Sequence, residues 1–139
     1  MKDGFIKVKA VSPKLEVGNI AFNKGEIIKE IKKAESESIK ILVTPELSLC
    51  GATAGEMSSN GVILNACEKE IENIKFATKD TDILVFIGAP ISYKGCVYSC
   101  AIAIKSGEIL GVVPKIGKMP FLKAYVKIGE EKYPFKDFY

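Results

Sequence analysis

The sequence predicts an α/β domain built on a mixed sheet with its helices on one face. Two features carry this expectation. Short apolar runs rich in branched residues alternate with two stretches of helical periodicity in the first half, and three strand-like runs then follow one another through tight, Gly-bearing turns. Alternating strands and helices build parallel pairs, whereas strands joined by hairpins run antiparallel, so one sheet containing both is mixed.

Residues 5–11 alternate apolar side chains with lysine before Ser12-Pro13, the pattern of a first strand with one face covered. Asn23 with Glu26 three residues on resembles a capping box, and Ile27, Ile31 and Ala34 then share a face, which predicts a helix over about residues 24–38. Residues 40–46 (Lys-Ile-Leu-Val-Thr-Pro-Glu) read as a parallel strand buried on both faces, ended by Pro45 with Glu46 at its carboxyl end. Beyond Gly51, Gly55 and Gly61, the spacing of Ile63, Cys67, Ile71, Ile74 and Ala77 predicts a second helix reaching Lys79. Residues 83–91 read as a third buried strand. Tyr93-Lys94-Gly95 turns into a strand over 96–104, and Ser106-Gly107 into another over 109–113. The aromatic stretch at 133–139 has no polar fraying tail, the ending expected of a fragment, so residues 1–139 are expected to hold one partial domain.

A chain of 139 residues with 47% hydrophobic content supports one globular domain, and its net charge of +3 makes it no polyelectrolyte. Every basic residue is lysine, so the guanidinium fork that reads guanine and clamps phosphate is missing, and nucleic acid is not an expected partner. The chain has no histidine, which excludes Ser-His-Asp and Cys-His catalysis and most zinc sites within it. Neither a metal nor a cofactor is expected, and catalysis is left to Glu, Lys, Cys or Tyr. Cys50, Cys67, Cys96 and Cys100 form no CxxC pair and no secretory signal opens the chain, so a cytoplasmic setting with free thiols is expected. No apolar run approaches the roughly 20 residues that cross a bilayer, and a membrane is not an expected partner.

In open α/β sheets ligands bind beyond the carboxyl ends of the strands, the position of Glu46; a solvated charge or loop cap accounts for it as simply. The segment Thr-Pro-Glu-Leu-Ser-Leu-Cys-Gly (44–51) resembles a signature of the carbon-nitrogen hydrolase (nitrilase) superfamily, with Glu46 at the general base. Residues 96–115 resemble the stretch in which a hairpin and a strand lead to that superfamily's catalytic lysine, here Lys115. The resemblance runs from Phe5 to about Lys115, and the Gly-Val-Val-Pro-Lys run at 111–115 is most similar to the glutaminase domains of glutamine-dependent NAD synthetases.

The resemblance implies a nitrilase-like αββα sandwich, of which this chain would hold the N-terminal half. It also implies a reaction in which glutamate deprotonates a cysteine thiol, the thiolate attacks the carbon of glutamine or another small amide, and lysine stabilises the oxyanion. Glu46 would then need a sheltered pocket and a raised pKa. The ammonia would pass to an ATP-using synthetase domain, whose glycine-rich phosphate loop this chain lacks. In the family the nucleophile follows the lysine, but no cysteine follows Lys115, so the Glu-Lys-Cys triad is incomplete and the chain alone is expected to be inactive.

Cys50, near Glu46 in sequence, is a remote substitute; Cys67, Cys96 and Cys100 read as core residues. Ala52 stands where the family often has tyrosine, and Glu130 and Glu131 read as a solvated face without a role. Half a sandwich leaves sheet edges and an apolar face open, from which a homo-oligomer or association with the missing half is expected. Two other functions fit the same residues: part of a stand-alone amidase or nitrilase, and a non-catalytic oligomerisation or binding remnant.

Overall fold

The computed structural model describes residues 4–51, 61–115, 125–128 and 131–134. Strands β1 (Val8–Ala10), β2 (Ile41–Val43), β3 (Leu84–Tyr93), β4 (Cys96–Lys105) and β5 (Glu108–Pro114) form one sheet in that order. β1, β2 and β3 pair in parallel through the crossover helices α1 (Ile20–Ser36) and α2 (Gly61–Ala77), while β4 and β5 add antiparallel. This is the expected mixed α/β sheet.

Both hairpin turns are written in the sequence. Lys94-Gly95 and Ser106-Gly107 all take positive φ (47°, 79°, 51° and 78°), the tight turn whose twist matches the flanking strands, and glycine supplies the second position without strain.

One sheet face is packed. Leu42, Val85, Ile87, Ile102 and Ile104 are buried there against Ile27 and Ile31 of α1 and Ile71 and Ile74 of α2. Each buried isoleucine contributes about 1.5–3 kcal/mol of transfer free energy, so this layer is the main source of stability. The opposite face is open. Val8, Val43 and Leu110 are 63%, 41% and 52% exposed. The expectation that β2 is buried on both faces is therefore corrected, because both helices lie on the same side, whereas β3 is the buried strand expected, with residues 87–91 all buried. In β1 the expected alternation is inverted: Val8 lies on the open face, while half-buried Lys9, paired with Leu42, reaches Glu37 just beyond α1 at 3.3 Å.

Helix α1 starts earlier than Asn23 suggests. Asn19 is the N-cap, its side chain accepting from Phe22 N at 3.2 Å. Asn23 lies inside the helix and fully buried, where it accepts from Glu16 N and donates to the carbonyls of Glu16 and Leu49 at 2.7, 2.8 and 3.0 Å. A polar side chain tolerates such burial only when its hydrogen bonds are made. Here they tie α1 to the segment that follows β2.

Beyond β5 the chain forms a hairpin absent from the sequence-based expectation, β6 (Tyr125–Ile128) paired with β7 (Glu131–Pro134), with Ile128 and Tyr133 buried. No helix among the described residues is long and apolar enough to cross a membrane.

Candidate active site

The segment after β2 folds into a tight turn laid over the open face of β3. Gly88 makes this possible: a Cβ there would meet Leu47 N and come within 2.5 Å of Pro45 O. Hydrogen bonds clamp the turn to the β3 backbone. Thr44 N and Thr44 Oγ1 both donate to Phe86 O at 3.0 Å, Leu49 N donates to Gly88 O at 2.9 Å, and Gly88 N donates to Ser48 Oγ at 3.2 Å. Thr44 and Ser48 share a further hydroxyl bond of 2.8 Å. The turn lifts Glu46 onto the open face, just past the carboxyl end of β2.

Lys115 arrives from β5, and a β-bulge decides on which face. The register runs Ile104 to Ile109 and then Ala103 to Gly111, so Leu110 is the extra residue. Side chains alternate along a strand, and one extra residue inverts the alternation beyond it. Ile109 and Val112 consequently both face the helices and are buried, while Val113 and Lys115 face the open side. Lys115 N then continues the ladder by donating to Ser99 O at 2.7 Å.

The two sequence-predicted residues meet: Lys115 Nζ lies 2.9 Å from Glu46 Oε1. Ser99 Oγ donates to Glu46 Oε2, also at 2.9 Å. The hydrogen bond from Lys115, and next that from Ser99, hold the Glu46 carboxyl below the usual glutamate range, against a small desolvation effect in the other direction. The expectation of a raised pKa in a sheltered pocket is thus corrected. The pair sits at an open cleft of about 330 Å³ lined by Val43, Thr44, Phe86 and Ser99 among others, with the side chains of Glu46 and Lys115 48% and 74% exposed.

None of the four thiols stands free at this pair. Cys100 borders the cleft, but its side chain belongs to the packed side and burial pushes its pKa up to about 12. Cys50 is fully buried against Cys67, and hydrogen bonding to Cys50 followed by burial holds the Cys67 thiol protonated. Cys96, expected in the core, is exposed: it begins β4 beside the Lys94-Gly95 turn, beyond the cover of the helices. Among the described residues no group of three or more His, Cys, Asp or Glu could hold a metal. Ala52 and Glu130 lie outside the described residues, as does the side chain of Glu131.

The sequence reading missed Gly88, Ser99, Thr44, Ser48 and the Leu110 bulge. A signal existed for two of them, since a glycine inside an apolar strand marks close approach of another segment, and Gly111 beside Leu110 marks a bulge.

Sequence comparison bears on what this arrangement serves. The chain is 33% identical over 117 residues to the glutamine-dependent NAD(+) synthetase of Aquifex aeolicus and 29% identical over 112 residues to that of Mycobacterium leprae. The chain is a homologue of the N-terminal region of glutamine-dependent NAD(+) synthetases. The matches cover 84% and 81% of the chain but only 20% and 16% of these synthetases. No family model matches the sequence. Among solved structures, the glutamine-dependent NAD(+) synthetase of Cytophaga hutchinsonii superposes with a TM-score of 0.85 at 20% identity, covering 95% of this chain and 25% of that one. An amidase from Nesterenkonia sp. superposes with a TM-score of 0.69 at 14% identity, covering 96% of this chain and 56% of that one. The amidase from Nesterenkonia sp. AN1 is of the nitrilase superfamily, and a mutant of it shows the result of Michael addition of acrylamide at the active-site cysteine. The fold is the nitrilase-like α/β fold expected from the sequence.

Proposed function

We propose that this chain supplies the glutamate and lysine of a glutaminase site that feeds ammonia to a glutamine-dependent NAD synthetase. One observation carries the proposal: Glu46 and Lys115, remote in sequence, meet at 2.9 Å in the cleft beyond the carboxyl ends of β2 and β5. Homology to the N-terminal region of those synthetases supports glutamine as the substrate.

In this reading Glu46, ionised at neutral pH, takes the proton of a cysteine thiol supplied from outside this sequence. The thiolate attacks the carboxamide carbon, and the ammonium group of Lys115 stabilises the oxyanion that forms. Collapse of the intermediate expels ammonia, which takes the proton back from Glu46 and leaves a thioester. Glu46 then draws a proton from water, whose oxygen attacks the thioester, releasing glutamate and the free thiol. Shelter for this half-exposed pair comes from whatever packs on the open sheet face, a second copy of the chain or the rest of such a domain. A reducing, cytoplasmic setting fits the four free thiols.

The chain alone is expected to release no ammonia from glutamine. Grafted in place of the matching segment of the Aquifex aeolicus relative, it is expected to support NAD synthesis driven by glutamine. Glu46→Gln should then lower that rate by about 10²–10⁴-fold while leaving synthesis driven by added ammonia unchanged. Glutamine-driven synthesis that survives Glu46→Gln would overturn the assignment.

A further inference from the structure

We infer that Ser99 is the positioning residue of this site, joining Glu46 and Lys115 through one hydroxyl and one backbone carbonyl. The inference rests on the proposed roles of the pair and adds a third residue to them.

The geometry is specific to Ser99. On the open face of β4 its hydroxyl donates to Glu46 Oε2 at 2.9 Å, and its carbonyl accepts from Lys115 N at 2.7 Å. Opposite it on β3 stands Pro90, whose side chain has no polar atom to compete with Glu46 for the hydroxyl proton. Glu46 needs such a partner. Its backbone is clamped by the turn, but its side chain is half-exposed, and an exposed ion pair with a long lysine is by itself a weak constraint. A neutral donor held in a strand ladder fixes the plane of the carboxylate, presenting Oε1 to Lys115. The charged group paired with Glu46 among the described residues is Lys115 alone.

The role makes Ser99 distinguishable from a merely structural serine. The carboxylate hydrogen bond belongs to the hydroxyl and the Lys115 contact to the backbone, so removing the hydroxyl should loosen Glu46 while leaving the ladder intact. The test uses the full chain with ¹³C-labelled glutamate carboxyls, the Glu46 signal being assigned by its loss in Glu46→Gln. In the unaltered chain Glu46 is expected to titrate below the ordinary glutamate value. Ser99→Ala should move that titration up towards the ordinary value, and Ser99→Thr should restore it. Ser99→Val, which differs from Ser99→Thr essentially by the hydroxyl, serves if Ser99→Ala loses the native amide spectrum.

In the grafted synthetase, Ser99→Ala should lower kcat with glutamine about tenfold, the effect of one hydrogen bond to a charged group, with KM nearly unchanged and Ser99→Thr restoring it. A Glu46 titration indifferent to Ser99→Ala and Ser99→Val overturns the inference. If the titration moves but the unaltered graft has no glutaminase activity, the positioning role stands and the glutaminase reading falls.

Discussion

Gly88 and Cys100 show how single positions define this site from opposite directions. At Gly88 the site needs an absence, because any Cβ would strike the backbone of the turn that carries Glu46. Gly88→Ala is expected to destabilise the chain by about 1–3 kcal/mol through overpacking and to separate Glu46 from Lys115, read as a lowered thermal midpoint with a Glu46 titration shifted upward. At Cys100 a thiol borders the cleft but is buried, with its pKa raised to about 12. It therefore stays a thiol through neutral and mildly alkaline pH, and a thiol is not the nucleophile. Alkylation of the native chain at pH 8 is expected to modify Cys96, which is exposed, and to spare Cys50, Cys67 and Cys100 until the chain unfolds; mass spectrometry of the labelled peptides checks the order. Glu46 runs the other way. Its lowered pKa means that the ion pair with Lys115 is fully present above the ordinary glutamate range and is lost only as pH falls through the lowered value.

At the scale of elements, the succession of strands and helices was legible because its signals are local. Branched runs, helical spacing and two Lys-Gly or Ser-Gly turns specify β2 to β5 and both helices without reference to anything distant. The start of α1 was not legible. Asn19 and Asn23 are both plausible caps, and only the carbonyls of Glu16 and Leu49 decide that Asn23 is a buried tie instead. The β6–β7 hairpin also escaped, since strands of four residues give too little alternation to read. Of the site, Glu46 and Lys115 stood out through their motifs, whereas Ser99 and the Leu110 bulge express contacts between strands. The bulge is the element-scale device that brings Lys115 to Glu46. Deleting Leu110 should remove the bulge yet leave Ile109 opposite Ile104 and Lys115 beside Glu46, whereas deleting Leu110 and Gly111 together should turn Lys115 towards the helices; a nuclear Overhauser contact between the two side chains is expected to survive the first deletion and to vanish in the second.

For the whole molecule, the decisive feature is that both helices cover one face of the sheet and the site lies on the other. Val8, Val43 and Leu110 leave apolar surface beside a half-exposed catalytic candidate, and apolar surface of this kind favours association. Sedimentation should show concentration-dependent self-association that replacement of Val8 and Val43 by lysine weakens. The same openness lets the hydrogen bonds from Lys115 and Ser99 lower the Glu46 pKa against little opposition, for a cover that excluded water would raise the desolvation penalty on its charge. The account stands or falls on Glu46 and Lys115 acting as one unit. The most direct measurement is a double-mutant cycle on kcat/KM for glutamine in the grafted synthetase, using Glu46→Gln and Lys115→Met. Each single change should cost at least about 10²-fold, and the double variant should be little worse than either alone. Losses that simply multiply, or a single variant within a few-fold of the unaltered graft, would contradict it.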